Sequence, residues 1–162
     1  MIIDQMKASD WEHVRSIYLE GIKSGNSTFE IDAPSWESWD QEHLQFARLV
    51  MRDEDRILGW AALAPVSKRT VYRGVAEVTV YVSESARGQG IGRALLEALI
   101  AASERNGIWT LQASIFPENT ASVKLHLRCG FREVGRRERI AVLNGVWRDT
   151  LLFERRSNLV LK

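Results

Sequence analysis

From Ala76 to Val82 apolar and polar side chains alternate, and the alternation stops at Ser83. A period of two over β-branched residues predicts a half-buried strand, with Glu77, Thr79 and Tyr81 on one face and Ala76, Val78, Val80 and Val82 on the other. A polar turn follows, then Gly88, Gly90 and Gly92 at every second position. The helical run Arg93-Ala94-Leu95-Leu96-Glu97-Ala98-Leu99-Ile100 comes next. Strand, glycine turn and helix bring free backbone N–H groups together at a positive helix end, which suits a phosphate.

The rest of the chain reads in the same way. Ile2–Met6 is a candidate first strand. Ser9 and Asp10 are N-cap candidates, and Trp11, Val14, Ile17, Tyr18 and Ile22 recur at helical spacing until Gly21–Gly25. Asn26–Pro34 is a loop by composition, with one isolated aromatic, Phe29. Ser35 caps a second predicted helix through about Ala47, with Trp36, Trp39, Leu44 and Phe46 available for burial. Arg48–Arg52 and Arg56–Pro65 flank an acidic turn as a hairpin, and Gly59 predicts a bulge in its second strand. Ser67–Gly74 is a polar, basic connection. The helix after the glycines runs from Gly90 to about Arg105 and stops at Asn106-Gly107. Ile108–Phe116 is a further strand, ended by Pro117. Asn119 caps a helix with Val123, Leu125 or His126, and Leu127 on its inner side, closing at Cys129-Gly130. Phe131–Val142 and Val146–Arg155 make a terminal hairpin about Asn144-Gly145. The order β-αα-βββ-α-β-α-ββ predicts an α/β (α+β) fold, a sheet with helices on both faces, as a single domain over residues 1–162.

Composition narrows this picture. At 162 residues, 45% hydrophobic and 27% charged, the chain is ordinary for a globular protein able to bury a core. Its formal net charge of +1 advertises no broad basic face, so neither nucleic acid nor an anionic membrane is expected as a partner. The run Arg136-Arg137-Glu138-Arg139 is interrupted by acid and predicts a solvated strand or turn. Cys129, the single cysteine, excludes an internal disulfide and a cysteine-built zinc site. It reads as a buried structural thiol, and no metal is expected. No apolar run approaches the ~20 residues that span a bilayer, and the start lacks a signal peptide's basic and apolar regions. A cytoplasmic protein is expected.

A glycine cluster between strand and helix is, on its own, also a plain tight turn. The dinucleotide fingerprint needs a third glycine where Arg93 stands, and a Walker A loop needs Gly-Lys-Ser/Thr, which is absent. What stands here is Arg87-x-x-Gly90-x-Gly92 after Val80-Tyr81-Val82, and it resembles the acyl-CoA-binding motif of the GCN5-related N-acetyltransferase (GNAT) superfamily. A second motif agrees: Asn119, Gly130 and Phe131 match that family's next helix, with Ser122 and Leu125 as substitutions. The resemblance implies a central, mixed, mostly antiparallel sheet that splays at an acetyl-CoA site. Loop and helix-start N–H groups would bind the CoA pyrophosphate, and the splayed strand would pair with the pantetheine arm. The positions it assigns to acetyl-CoA are Val80, Tyr81, Val82, Arg87, Gly88, Gln89, Gly90, Ile91, Gly92, Arg93, Asn119 and Ser122.

Where the superfamily usually has a tyrosine, this chain has His126. A lone histidine on an apolar helix is by default a satisfied core residue. An imidazole near pKa 6.5 nevertheless exchanges protons at neutral pH more readily than a phenol near 10. Glu77 is the second anomaly, a carboxylate inside an apolar strand. It reads either as a charge on a sheet face or paired to arginine, or as a base close to the thioester. Tyr72, Glu77, Thr79, Ser122 and His126 together are similar to phosphinothricin and methionine sulfoximine/sulfone N-acetyltransferases, with Ser27-Thr28-Phe29, Arg69 and Trp147-x-Asp149 extending the likeness. That similarity implies proton transfer by Glu77 and His126, and substrate binding by Phe29, Arg69, Tyr72 and Thr79. Lys68 and Arg73 are equally solvated loop charges. A homodimer is implied too. Two alternatives remain at this point, an acetyltransferase of peptide N-termini and a non-catalytic acyl-CoA sensor. The cationic Ser67–Arg73 segment argues for a small anionic amine instead.

Overall fold

In the computed structural model, which describes residues 1–161, the alternating run is the central strand of a seven-stranded sheet. The strands are β1 (Ile2–Gln5), β2 (Leu49–Asp53), β3 (Arg56–Pro65), β4 (Val75–Val82), β5 (Thr110–Ile115), β6 (Arg132–Leu143) and β7 (Val146–Arg156). The helices are α1 (Trp11–Ser24), α2 (Trp36–Glu42), α3 (Ile91–Arg105) and α4 (Thr120–Arg128). Strand order across the sheet is β1-β2-β3-β4-β5-β7-β6. All neighbours are antiparallel except β4 and β5. That parallel pair holds only at Val75↔Thr110, Ala76↔Leu111 and Glu77↔Gln112. β4 continues to Val82 and β5 to Ile115, each still paired on its outer side. Beyond Glu77 the sheet therefore opens into a wedge.

Each face of the sheet carries its own core. Against one face, Leu95, Leu96 and Leu99 of α3 are fully buried on Ala61, Leu63, Ala76 and Val78. Each such leucine contributes about 1.5–3 kcal/mol by burial. Against the other, Trp11, Val14 and Ile17 of α1 and Trp39 of α2 pack on Val50, Trp60 and Ala62. Helices on both faces, as expected, follow from β3, whose side chains from Ile57 to Leu63 are buried on both faces.

The expected bulge is present at Leu58, one residue from Gly59, where Met51 pairs with Gly59 and Arg52 with Ile57. A Cβ at position 59 would lie 2.8 Å from the Tyr81 carbonyl oxygen and 2.9 Å from Leu95 Cδ1. Only glycine lets α3 close on the sheet there.

Two helix expectations need correction. Ser35 does cap α2, accepting from the Ser38 N–H at 3.2 Å, but the helix ends at Glu42 rather than Ala47. The buried Arg48 takes over carbonyls in and just beyond its last turn, donating to Asp40 O at 2.9 Å, His43 O at 3.2 Å and Leu44 O at 2.7 Å. Its guanidinium also lies 5.1 Å from the centre of the Trp39 ring. On α4 the inward stripe is Ser122, Leu125, His126 and Cys129, the i, i+3, i+4, i+7 pattern, with Val123 packed against the core beside it as expected. His126 is buried, whereas Leu127 is half exposed and does not belong to it. Among the described residues no helix is long and apolar enough to cross a membrane.

Candidate active site

The wedge forms a cleft of about 870 Å³. Its walls take Val78, Val80 and Val82 from one face of β4, and Glu77, Thr79 and Tyr81 from the other. β5 likewise contributes Ala113 and Ile115 from one face and Ser114 from the other. The cleft thus passes through the sheet, with one mouth on the α3/α4 side and one on the α1 side.

At the α3/α4 mouth the glycine turn shapes the wall. Gly88 and Gly90 both have φ of 78°, a left-handed conformation that glycine adopts without strain. Gly90 is the N-cap of α3, so the first-turn N–H groups, which have no intrahelical acceptor, point out of the helix end. A Cβ at either glycine would meet nothing within 4 Å, so the turn is open to a ligand. Arg87, Gly88, Gly90, Ile91 and Gly92 line the cleft. Gln89 and Arg93 do not, and Arg93 instead pairs with Glu97 along α3 at 2.8 Å. These features fit a diphosphate. Asn119 and Ser122 are in the lining too, but the Asn119 amide is already engaged. Its Oδ1 accepts from the Ser122 N–H at 3.2 Å, and its Nδ2 donates to Asn26 O at 3.1 Å, tying the α1–α2 loop to α4.

His126 faces the same mouth. Its Nδ1 lies 2.7 Å from the Ser122 carbonyl oxygen, which can only accept, so Nδ1 carries the proton and the neutral ring keeps its lone pair on Nε2. Phe131 packs edge-on at 5.1 Å between ring centres. Burial pushes the imidazole below its ordinary pKa of 6.5, with the hydrogen bond to Ser122 partly opposing it.

At the α1 mouth Glu77 is half-buried, and its carboxylate accepts from Gln112 Nε2 at 3.1 Å rather than pairing with an arginine. Phe29 reaches the cleft and packs edge-on to Phe116 at 4.9 Å. Tyr18 and Tyr81 stack at 5.2 Å, and Tyr81 on Trp60 at 5.0 Å. Burial pushes the Tyr18 phenol up to about 12 and Tyr81 up as well, so both remain protonated at neutral pH.

Arg69 and Tyr72 do not reach this cleft. They lie on and beside a short 3-10 turn, Thr70–Tyr72, with the Arg69 guanidinium 5.4 Å from the Tyr72 ring centre. Tyr72 lines a separate shallow pocket with Trp109. Conversely, Tyr18, His43, Trp60 and Arg137 line the cleft, and the sequence signals none of them as site residues. Tyr18 reads as part of a helical core stripe, Trp60 falls inside a predicted strand and His43 inside the predicted second helix. Arg137 reads as part of a solvated strand or turn, and it is an exposed side chain just before a bulge in β6. Arg137 pairs with Thr150 and Ala141 with Arg148, leaving Glu138, Arg139 and Ile140 opposite Asp149 alone.

Compared with known proteins, the model of the Acetyltransferase (GNAT) family matches residues 11–131. A phosphinothricin N-acetyltransferase of Alcaligenes faecalis is 32% identical over 160 residues, covering 94% of this chain and 81% of that protein. An L-methionine sulfoximine/L-methionine sulfone acetyltransferase of Pseudomonas paraeruginosa is 28% identical over 149 residues, covering 87% of this chain and 86% of the other. The crystal structure of a GNAT superfamily phosphinothricin acetyltransferase from Sinorhizobium meliloti, in complex with AcCoA, superposes with a TM-score of 0.88 at 27% identity. That match covers 99% of this chain and 90% of the other.

Proposed function

The chain belongs to the acetyltransferase (GNAT) family and is an acyltransferase, and from that premise we propose that it transfers acetyl from acetyl-CoA directly to the α-amine of a small amino-acid-like substrate. The substrate class is that of phosphinothricin and methionine sulfoximine or sulfone, the compounds in the names of its relatives. The observation that carries this reading is the cleft's passage through the sheet. Glu77 stands on the α1 face and His126 on the α3/α4 face, so two proton-transfer groups flank one gap from opposite sides.

The chemistry divides accordingly. An ammonium that becomes an amide nitrogen sheds two protons. Glu77 takes the first, through water, and leaves a neutral amine. The amine attacks the thioester carbonyl, and backbone N–H groups of β4 near Val78–Val80, released from strand pairing, hold the oxyanion. The second proton leaves nitrogen for His126 Nε2 and passes to sulfur as the C–S bond breaks, so that CoA departs as the thiol. Arg87 and the Gly88–Gly92 turn would hold the pyrophosphate.

In a single chain Arg69 and Tyr72 cannot serve this cleft from where they lie. We retain them as substrate-binding residues only together with the homodimer, in which a second chain's turn would approach the α1 mouth. A solution mass near twice 18.5 kDa is the expected result, and a monomer would remove that role.

The function itself is tested by following CoA thiol release over an amine panel. Phosphinothricin, methionine sulfoximine and methionine sulfone are expected to turn over in preference to peptides with free N-termini. Turnover of peptides alone, or of no amine while acetyl-CoA binds, would overturn the reading.

A further inference from the structure

Two guanidinium groups line the cleft, Arg87 at the glycine turn and Arg137 on β6. Among the described residues neither forms an ion pair or a side-chain hydrogen bond, unlike Arg136, whose guanidinium binds Asp149 at 2.6 Å. The Asp149 carboxylate also accepts the Arg139 backbone N–H at 2.7 Å, closing the bulge in which Arg139 has φ of 45°. One carboxylate thus satisfies the bulge and occupies the neighbouring arginine, and it leaves Arg137 free.

Strand register sets the direction in which Arg137 points. Glu77 pairs with Gln112, and Gln112 shares its face with Ser114. Ser114 pairs with Leu152, which shares its face with Thr150, and Thr150 pairs with Arg137. Arg137 therefore projects from the same face as Glu77 and Thr79, at the amine mouth, whereas Arg87 serves the other mouth. Of the carboxylates in the lining, Glu118 is already held by Arg148 at 3.4 Å and Glu77 by Gln112.

A guanidinium stays charged at every working pH and offers a planar fork of donors matched to a carboxylate. We infer that Arg137 binds the α-carboxylate of the amine substrate and so selects amino acids over amines without an acid group. This inference rests on the function proposed above. It also assigns within the chain an anion contact that the Ser67–Arg73 segment, lying outside the cleft of its own chain, does not make there.

The test compares methionine sulfone with its carboxamide, a pair differing only in the anion. The wild type is expected to favour the carboxylate. Arg137→Ala should cut that preference in kcat/KM by about 10- to 100-fold, the worth of a charge-assisted pair. Arg137→Lys should restore part of it, and the KM for acetyl-CoA and the unfolding midpoint should stay at wild-type values. A preference unchanged in Arg137→Ala, or a raised KM for acetyl-CoA in its place, would overturn the assignment while leaving the function standing. Absence of thiol release from the wild type with either compound would defeat both.

Discussion

The niche around His126 decides which nitrogen is free and in which charge state. The Ser122 carbonyl holds the Nδ1 proton, and burial against Phe131 keeps the ring neutral at pH 7. The unfolded chain has an ordinary histidine near 6.5, so below that pH it takes up a proton that the folded chain refuses. Stability contributed by neutral His126 is therefore complete above about pH 6.5 and is lost as pH falls through the lower folded value. His43, depressed chiefly by burial as well, adds with the same sign. Denaturant unfolding between about pH 7.5 and 5.5 should show stability falling toward acid, with a shallower slope in His126→Gln. An identical slope in the variant would contradict the niche. Glu77 and His126 were legible in the sequence because each breaks an apolar pattern. Arg137 was not, because a period-two reading assigns faces only to an unbulged strand, and the one extra residue at Val134 shifts every later face of β6 without a periodic sign.

Among the elements, the glycine turn was the most legible and α2 the least. Alternation, three spaced glycines and a helical run are local signals, and β4 and α3 start and stop within about a residue of where those signals place them. The end of α2 depends on Arg48 capturing three carbonyls and an aromatic ring, contacts that exist only once the chain has folded back. The turn's role gives a prediction at this scale. Gly90→Ala imposes a left-handed alanine, costing roughly 1–2 kcal/mol, and places a methyl where the pyrophosphate is proposed to lie. The KM for acetyl-CoA should rise at least about tenfold while the KM for the amine changes little, since a lost charge-assisted contact is worth that much. A rise in the amine KM alone would place the acetyl donor elsewhere.

At the scale of the whole molecule, what matters is a gap in the sheet. Seven strands, helices on both faces and the order of elements followed from patterning, but the wedge did not come from any pattern in the residues. Residues 78–82 of β4 alternate as a paired strand would, and only the register with β5 shows pairing ending at Glu77. The resemblance to a splayed-sheet family supplied that expectation. Arg69 and Tyr72 lie outside the cleft of their own chain for a related reason, since sequence likeness names residues without saying which cleft they face. On the proposed function, this gap lets Glu77 and His126 act on one reaction from opposite faces. That joint action is tested most directly by steady-state kinetics of Glu77→Gln and His126→Ala with acetyl-CoA and methionine sulfone. Each variant should lose about 10²- to 10⁴-fold in kcat/KM. A value close to wild type in either variant would contradict it.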